Sequence, residues 1–393
     1  MEYDIIKLKE MVDAVFEETV SIRRKIHMNP ELGEKEIMTS ALVSETLEGL
    51  GIQHYDNVAG YGVVGYIPGK DPCRAFGVRA DMDALPINEL TECEFKSCVP
   101  GVMHACGHDV HTAILLGTAK VLKAMGELPV GVKLFFQPSE ETIGGAERMI
   151  KAGFMENPKV EHMLALHIAP NIPAGVCEIM PGPMNAACAS LEVRLIGKSA
   201  HGAYPHRGLD PLIPACAMVM QIQSVVSRLM DPFDAGLVTV GHFTSGTKGN
   251  IIPAETLFSG TIRGTSVELC MDIAEKVRRI CENTAAAYGA GIDIKVKQEY
   301  PALINDTVMA ETLRDACIKV LGEENVIYRS RPTLGADDFA FFSEYCPSVY
   351  YNLGSSRPGD EAPALLHDER LDVDEECMRG GMLSQLAFLL ELM

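Results

Sequence analysis

The order of apolar runs along this 393-residue chain predicts an α/β protein. A central mixed sheet flanked by helices is interrupted by an inserted ferredoxin-like βαββαβ unit. Three observations lead there. Strand-like and helix-like periodicities alternate through the first 170 residues or so. Pro170-Asn-Ile-Pro173 and Pro181-Gly-Pro183 then mark a shift in composition. After that shift the pattern is strand, helix, strand, strand, helix, strand, which is the split βαβ order. The length is also too great for one ordinary core. We therefore expect a discontinuous catalytic domain, 1–183 with 298–393, and an inserted domain, 184–297.

Helical periodicity covers 5–28, where Asn29-Pro30 stops it, and resumes over 34–50 until Gly51. Strands are predicted at 62–67 and 75–79, the latter running into Asp81. A helix over 109–125 is apolar on nearly every side and should be buried. The run 132–137 reads as a strand ending at Pro138-Ser139-Glu140-Glu141; 145–152 is helical and 162–167 is a short strand. In the insert, strands are expected at 189–196, 236–243, 256–263 and 292–298, with helices at 210–229 and 266–288. The remainder supplies a helix at 307–321, a strand at 348–353 and a final amphipathic helix. Three of these strands end on polar residues, Asp81, Glu140 and His167, and a fourth precedes a loop with His367. Open α/β sheets gather their ligands at the carboxyl ends of strands.

A net charge of −20 disfavours nucleic acid and anionic membrane as partners. The stretch 211–227 is free of charge but carries Gln221, Gln223, Ser224 and two prolines, a poor membrane span. The first ten residues are charged and lack an apolar core, so no secretory signal is expected. The 12 cysteines are scattered without a Cys-x-x-Cys pair and read as reduced thiols of a cytoplasmic protein.

The segment 101–111 packs His104, Cys106, His108, Asp109 and His111 into eight positions. Thiolate and imidazole are ligands for borderline transition metals. Cys106 and His108 stand two apart, and in an extended segment they would point the same way. The competing chemistry is a Cys106 nucleophile with His108 as base. A thiolate held by divalent ions is not free to attack, so the two readings exclude each other. Glu140-Glu141 follows a buried strand; adjacent carboxylates can divide labour, one binding metal and the other moving a proton. His167 and His367 are single histidines placed after strands. In the insert, His201 could donate to an oxyanion if the two domains close. Asn250 and Arg263 are polar candidates there, Arg being suited to grip a carboxylate.

Taken in order, Arg79-Ala-Asp-Met-Asp-Ala-Leu-Pro86, Met103-His-Ala-Cys-Gly-His-Asp109, Phe136-Gln-Pro-Ser-Glu-Glu141, Leu166-His167 and Leu366-His367 resemble the aminoacylase/carboxypeptidase-like dinuclear metallohydrolases. The nearest branch is the N-acyl-amino-acid amidohydrolases, of the hippurate hydrolase, auxin-conjugate hydrolase and N-acetyl-diaminopimelate deacetylase types. The resemblance spans nearly the whole chain. It implies a zinc-peptidase-like catalytic domain with the insert as a lid. It implies two divalent ions per subunit, Mn²⁺ or Zn²⁺ with Co²⁺ or Ni²⁺ as substitutes, held by Cys106, His108, Glu141, His167 and His367 with Cys106 bridging. Glu140 is then the general base and acid, and Asp81 or Asp83 orients ligands or base. His201 is the oxyanion donor, and Asn250 and Arg263 clamp the substrate carboxylate. Gly335 lies in Gly335-Ala-Asp-Asp-Phe339, an imperfect match to a substrate loop. The implied substrate is an N-acyl amino acid, with a dipeptidase or carboxypeptidase as the alternative and a homodimer or larger homo-oligomer as the implied assembly.

Overall fold

The computed structural model describes residues 3–360 and 362–393. It separates into two compact units: one of Met1–Gly182, Ile304–Arg331 and Phe341–Met393, the other of Pro183–Leu303 with Pro332–Ala340. The second unit thus includes 298–303 and the loop carrying Gly335, which the sequence reading left with the first. Hydrogen bonds account for the loop's placement. Ala186 N donates to Gly335 O at 2.8 Å, Thr333 Oγ1 to Asn185 Oδ1 at 2.8 Å, and Arg263 Nη1 to Leu334 O at 2.7 Å.

The first unit is built on an eight-stranded mixed sheet in the order Gln53–Val58, Gly62–Ile67, Leu128–Gln137, Gly69–Asp81, Lys159–Pro173, Ser348–Ser356, Cys177–Ile179, Val326–Tyr328. Its middle four strands are parallel, which puts their carboxyl ends at one edge. Parallel strands need cover on both faces and so read as continuous apolar runs, as Met163–Leu166 does. The short outer strands lack such runs, and that is why Gln53–Val58, Cys177–Ile179 and Val326–Tyr328 were not legible in sequence.

Helix His108–Met125 is buried from His108 through Leu122. It packs against helices Ile5–Met28 and Cys377–Leu392. The C-terminal helix is not amphipathic as expected. It is buried almost throughout because its only charged residues are Arg379 and Glu391.

In the second unit, strands Ala187–Ile196, Gly236–Ser245, Glu255–Gly264 and Gly291–Tyr300 alternate with helices Leu212–Ser224 and Val267–Tyr288. The sheet is antiparallel throughout. The first strand lies between the fourth and the third, with the second at the edge, the ferredoxin-like order. Val193, Phe258, Ile262, Met218, Ile222, Ile273 and Val277 form its own core. The helix expected over 210–229 instead ends at Ser224 and continues as a π-helical turn, Val225–Leu229.

Candidate metal centre

Strand Gly69–Asp81 carries Asp81 to the end of the sheet, in register with Gln137 of the neighbouring strand. On the other side, Arg79 pairs with Ala165, so His167 sits two residues further along at the level of Asp81. His167 does not end its strand, which runs on to Pro173.

The Cys106–His108 segment is not extended as the spacing argument assumed. Gly107 adopts φ +82°, and His108 opens the helix. A Cβ on Gly107 would lie 2.2 Å from Ile168 Cδ1, so both the left-handed backbone and the close approach require glycine. This turn brings Cys106 Sγ to 3.4 Å from His167 Nε2.

Two triads share that sulfur. Ligand atoms of Cys106, His108 and His167 lie within 4.8 Å of one another, as do those of Cys106, Glu141 and His367. A third group joins His108 to Glu140 and Glu141. The structure therefore brings together all five predicted ligands and Glu140. His367 reaches the cluster from a residue at φ +67°, held by its N–H on Ala105 O at 2.7 Å.

Supporting bonds set which nitrogens face inward. His167 Nδ1 donates to Ile168 O at 2.8 Å, turning Nε2 toward Cys106. His108 Nδ1 lies 3.3 Å from Asp83 Oδ1, leaving Nε2 as the inward nitrogen. Asp83 also accepts the backbone N–H of Glu140 at 3.1 Å and of Glu141 at 3.0 Å. Ser139, at φ +61°, turns the chain there, and Glu36 Oε1 accepts its N–H at 2.8 Å. His111 is committed elsewhere. Ile168 N donates to its Nε2 at 2.9 Å, so its Nδ1 carries the proton and donates to Asp81 Oδ1 at 2.6 Å. Asp81 receives Arg79 Nη1 at 2.5 Å on its other oxygen. Asp81 thus serves as the anchor of His111 and Arg79.

The donor set fits divalent cations. His108 Nε2 is buried without a hydrogen-bond partner, and Glu141 Oε1 lies 3.2 Å from His367 Nε2 without hydrogen-bond alignment. Burial pushes the Cys106 thiol well above its usual range, and the nearby Glu141 and Glu140 charges add to this. A cation reverses that balance and deprotonates the thiol. Burial opposes ionisation of Glu141, but the His367 contact and the His108 charge outweigh it and hold the carboxyl at about 2. Contact with Glu141 raises His367 in turn.

The remaining predicted residues lie in the second unit. His201 is exposed on a two-residue strand paired with Ile251–Ile252. Ala203 N donates to His201 Nδ1 at 3.1 Å, which leaves Nε2 as the N–H nitrogen. Asn250 is exposed, its carbonyl accepting Gly202 N at 2.9 Å. Arg263 is half-buried and Gly335 lies on the loop it ties.

Sequence reasoning missed one set of residues beside this cluster. Arg23 and His27 are buried against Asp109, and the far side of the His27 ring meets buried Glu89. The available signal was Arg23 and His27 at i,i+4, on the face of helix Ile5–Met28 that carries Phe16, Val20 and Ile26.

Comparison with known proteins agrees with the motifs. Peptidase family M20/M25/M40 matches residues 77–389. A thermostable carboxypeptidase of Saccharolobus solfataricus is 37% identical over 383 residues, covering 96% of each chain. An N-acetyl-L-cysteine deacetylase of Bacillus subtilis is 34% identical over 373 residues, covering 93% of this chain and 88% of its own. A solved B. subtilis structure, described as a dinuclear metal binding peptidase of family M20, superposes with TM-score 0.82 at 28% identity, covering 96% and 99% of the two chains. With this match along most of its length, the chain belongs to peptidase family M20/M25/M40.

Proposed function

We propose that this chain is a metal-dependent amidohydrolase that cleaves N-acyl amino acids to a carboxylic acid and a free amino acid. The carrying observation is the pair of ligand triads that share Cys106 and border Glu140. Cys106, His108, Glu141, His167 and His367 would hold two divalent ions, with Mn²⁺ or Zn²⁺ suited to the mixed thiolate, imidazole and carboxylate set. Bound there, the ions supply an acidified water and polarise the amide carbonyl.

The chain's own residues do the rest. Glu140 takes the proton from the attacking water and returns it to the leaving amine, while Asp83 fixes its backbone. His201 offers its Nε2–H to the developing oxyanion, and Asn250, Arg263 and Gly335 bind the substrate carboxylate and its neighbourhood. The deacetylase relative supports the acyl reading, and the carboxypeptidase relative keeps peptides as the competing substrate. A Cys106 nucleophile is disfavoured by its burial among four other ligand side chains.

A homodimer or larger homo-oligomer belongs to the same proposal. The stretch Leu212–Leu229 is apolar and long enough by composition to cross a membrane. Its inner residues Ala215, Met218 and Ile222 are buried in the second unit, while Ile213 and Met220 are exposed. We read that outer face as a contact between copies. The twelve free thiols support a reducing, cytoplasmic setting.

Chelator treatment tests the chemistry. Turnover of an N-acetyl amino acid should vanish and return with Mn²⁺ or Zn²⁺. Turnover that survives chelation but not alkylation would replace this reading with a thiol mechanism.

A further inference from the structure

Beyond the Cys106 cluster, the described residues contain a second group of converging donors: His27, Glu89 and Cys93, with ligand atoms all within 4.8 Å of one another. His27 Nδ1 lies 2.8 Å from Asp109 Oδ2. A carboxylate only accepts, so Nδ1 carries the proton of that bond. Arg23 Nε donates to the same Asp109 oxygen at 2.7 Å and fixes it. The ring then presents Nε2 to Glu89 Oε1 at 3.2 Å. Two lone-pair atoms do not face each other at that distance unless a cation, proton or metal, lies between them.

Cys93 brings a third donor to the pair. Its Sγ lies 3.8 Å from the same Glu89 oxygen. As a thiol it donates to that oxygen; as a thiolate it adds a third ligand atom to those of His27 and Glu89. A tetrahedral ion with bonds of about 2.0–2.3 Å places its ligands roughly 3.3–3.8 Å apart, close to the spacings seen. The outer contacts are those of a held site. Glu89 Oε2 accepts Ser97 N at 2.7 Å, Thr91 Oγ1 donates to Glu89 Oε1, and Asp109 orients the imidazole. Charges also balance. A divalent ion cancels the Glu89 carboxylate and the Cys93 thiolate, and Arg23 cancels Asp109.

His27 and Glu89 are buried, while Cys93 is half-buried and gives the group an opening to solvent. His104 lies beside the group, its ring 6.4 Å from that of His27 and its buried nitrogens without hydrogen-bond partners.

We propose that His27, Glu89 and Cys93 form a separate structural metal site for a thiophilic divalent ion of the zinc type. It would fasten the loop after Glu89 to helix Ile5–Met28 and, through Asp109, to the start of the helix that carries His108. The site stands whether or not the Cys106 cluster is read correctly.

The test is metal content per chain by plasma mass spectrometry on protein purified from zinc-supplemented medium. Cys93→Ser should lose one equivalent of zinc and keep its amide-hydrolysing rate. Cobalt supplies a second readout. Cys106→Ser loaded with Co²⁺ should still show a thiolate-to-cobalt absorption band, and adding Cys93→Ser should abolish it. Unchanged zinc content in Cys93→Ser overturns the proposal and leaves a proton shared by His27 and Glu89. If Cys106→Ser does not fold, the comparison of wild type with Cys93→Ser decides alone.

Discussion

Asp83 holds Glu140 by its backbone: Oδ1 accepts the Glu140 N–H at 3.1 Å while also facing His108 Nδ1 at 3.3 Å. One carboxylate therefore sets both the proposed base and a proposed ligand. Asp83→Ala should lower kcat roughly 100-fold through misplacement of Glu140, with a smaller change in KM. Steady-state kinetics checks this, and an unchanged kcat would show that the turn at Ser139 positions Glu140 unaided.

Glu140→Gln keeps the shape of the side chain and removes its proton-accepting oxygen. Turnover should fall by about 10²–10⁴-fold with metal content unchanged. Metal analysis beside the rate measurement separates this from a ligand role, in which both would fall.

Gly107→Ala places a methyl 2.2 Å from Ile168 Cδ1 at a backbone of φ +82°. The overlap costs about 1–3 kcal/mol and the left-handed conformation about 1 kcal/mol more. A lower melting temperature and lower metal content should appear together, since the same turn sets Cys106 against His167.

Asp81 is fully buried between Arg79 and His111. Burial alone would raise its carboxyl, but the charges of Arg79, His108 and His111 hold it well below the usual range. A depressed carboxyl contributes stability above its unfolded value of 3.8, and that contribution is lost as pH falls below it. Asp81→Asn removes the buried carboxylate that both Arg79 and His111 contact and should cost about 3–5 kcal/mol near neutral pH. The variant should also lose less stability than wild type on acidification below pH 4 or so, measured by denaturant midpoint across pH.

These residues also mark how far the sequence could be read. Asp81, Glu140 and Glu141 follow mostly apolar strand segments, and such strands in an α/β chain end at the binding edge. The ferredoxin-like order was legible for the same reason, since each of its strands and helices buries a distinct apolar face. The committed role of His111 was not legible, because it depends on the backbone N–H of Ile168, 57 residues away. Nor was the turn at Gly107, where glycine is required by a side chain from another strand. Pairing of Arg23 and His27 with Asp109 was hidden likewise. Charged residues on an otherwise apolar helix face reveal a buried network only once its partners are in place.

The most direct test of the account is kcat/KM on N-acetyl-, N-benzoyl- and indoleacetyl-amino acids beside simple dipeptides, using Mn²⁺- or Zn²⁺-loaded protein. Cleavage of N-acyl amino acids in preference to dipeptides, absent from Glu140→Gln, is the expected result. Cleavage of dipeptides alone would contradict the amidohydrolase reading and assign the chain to the peptidases.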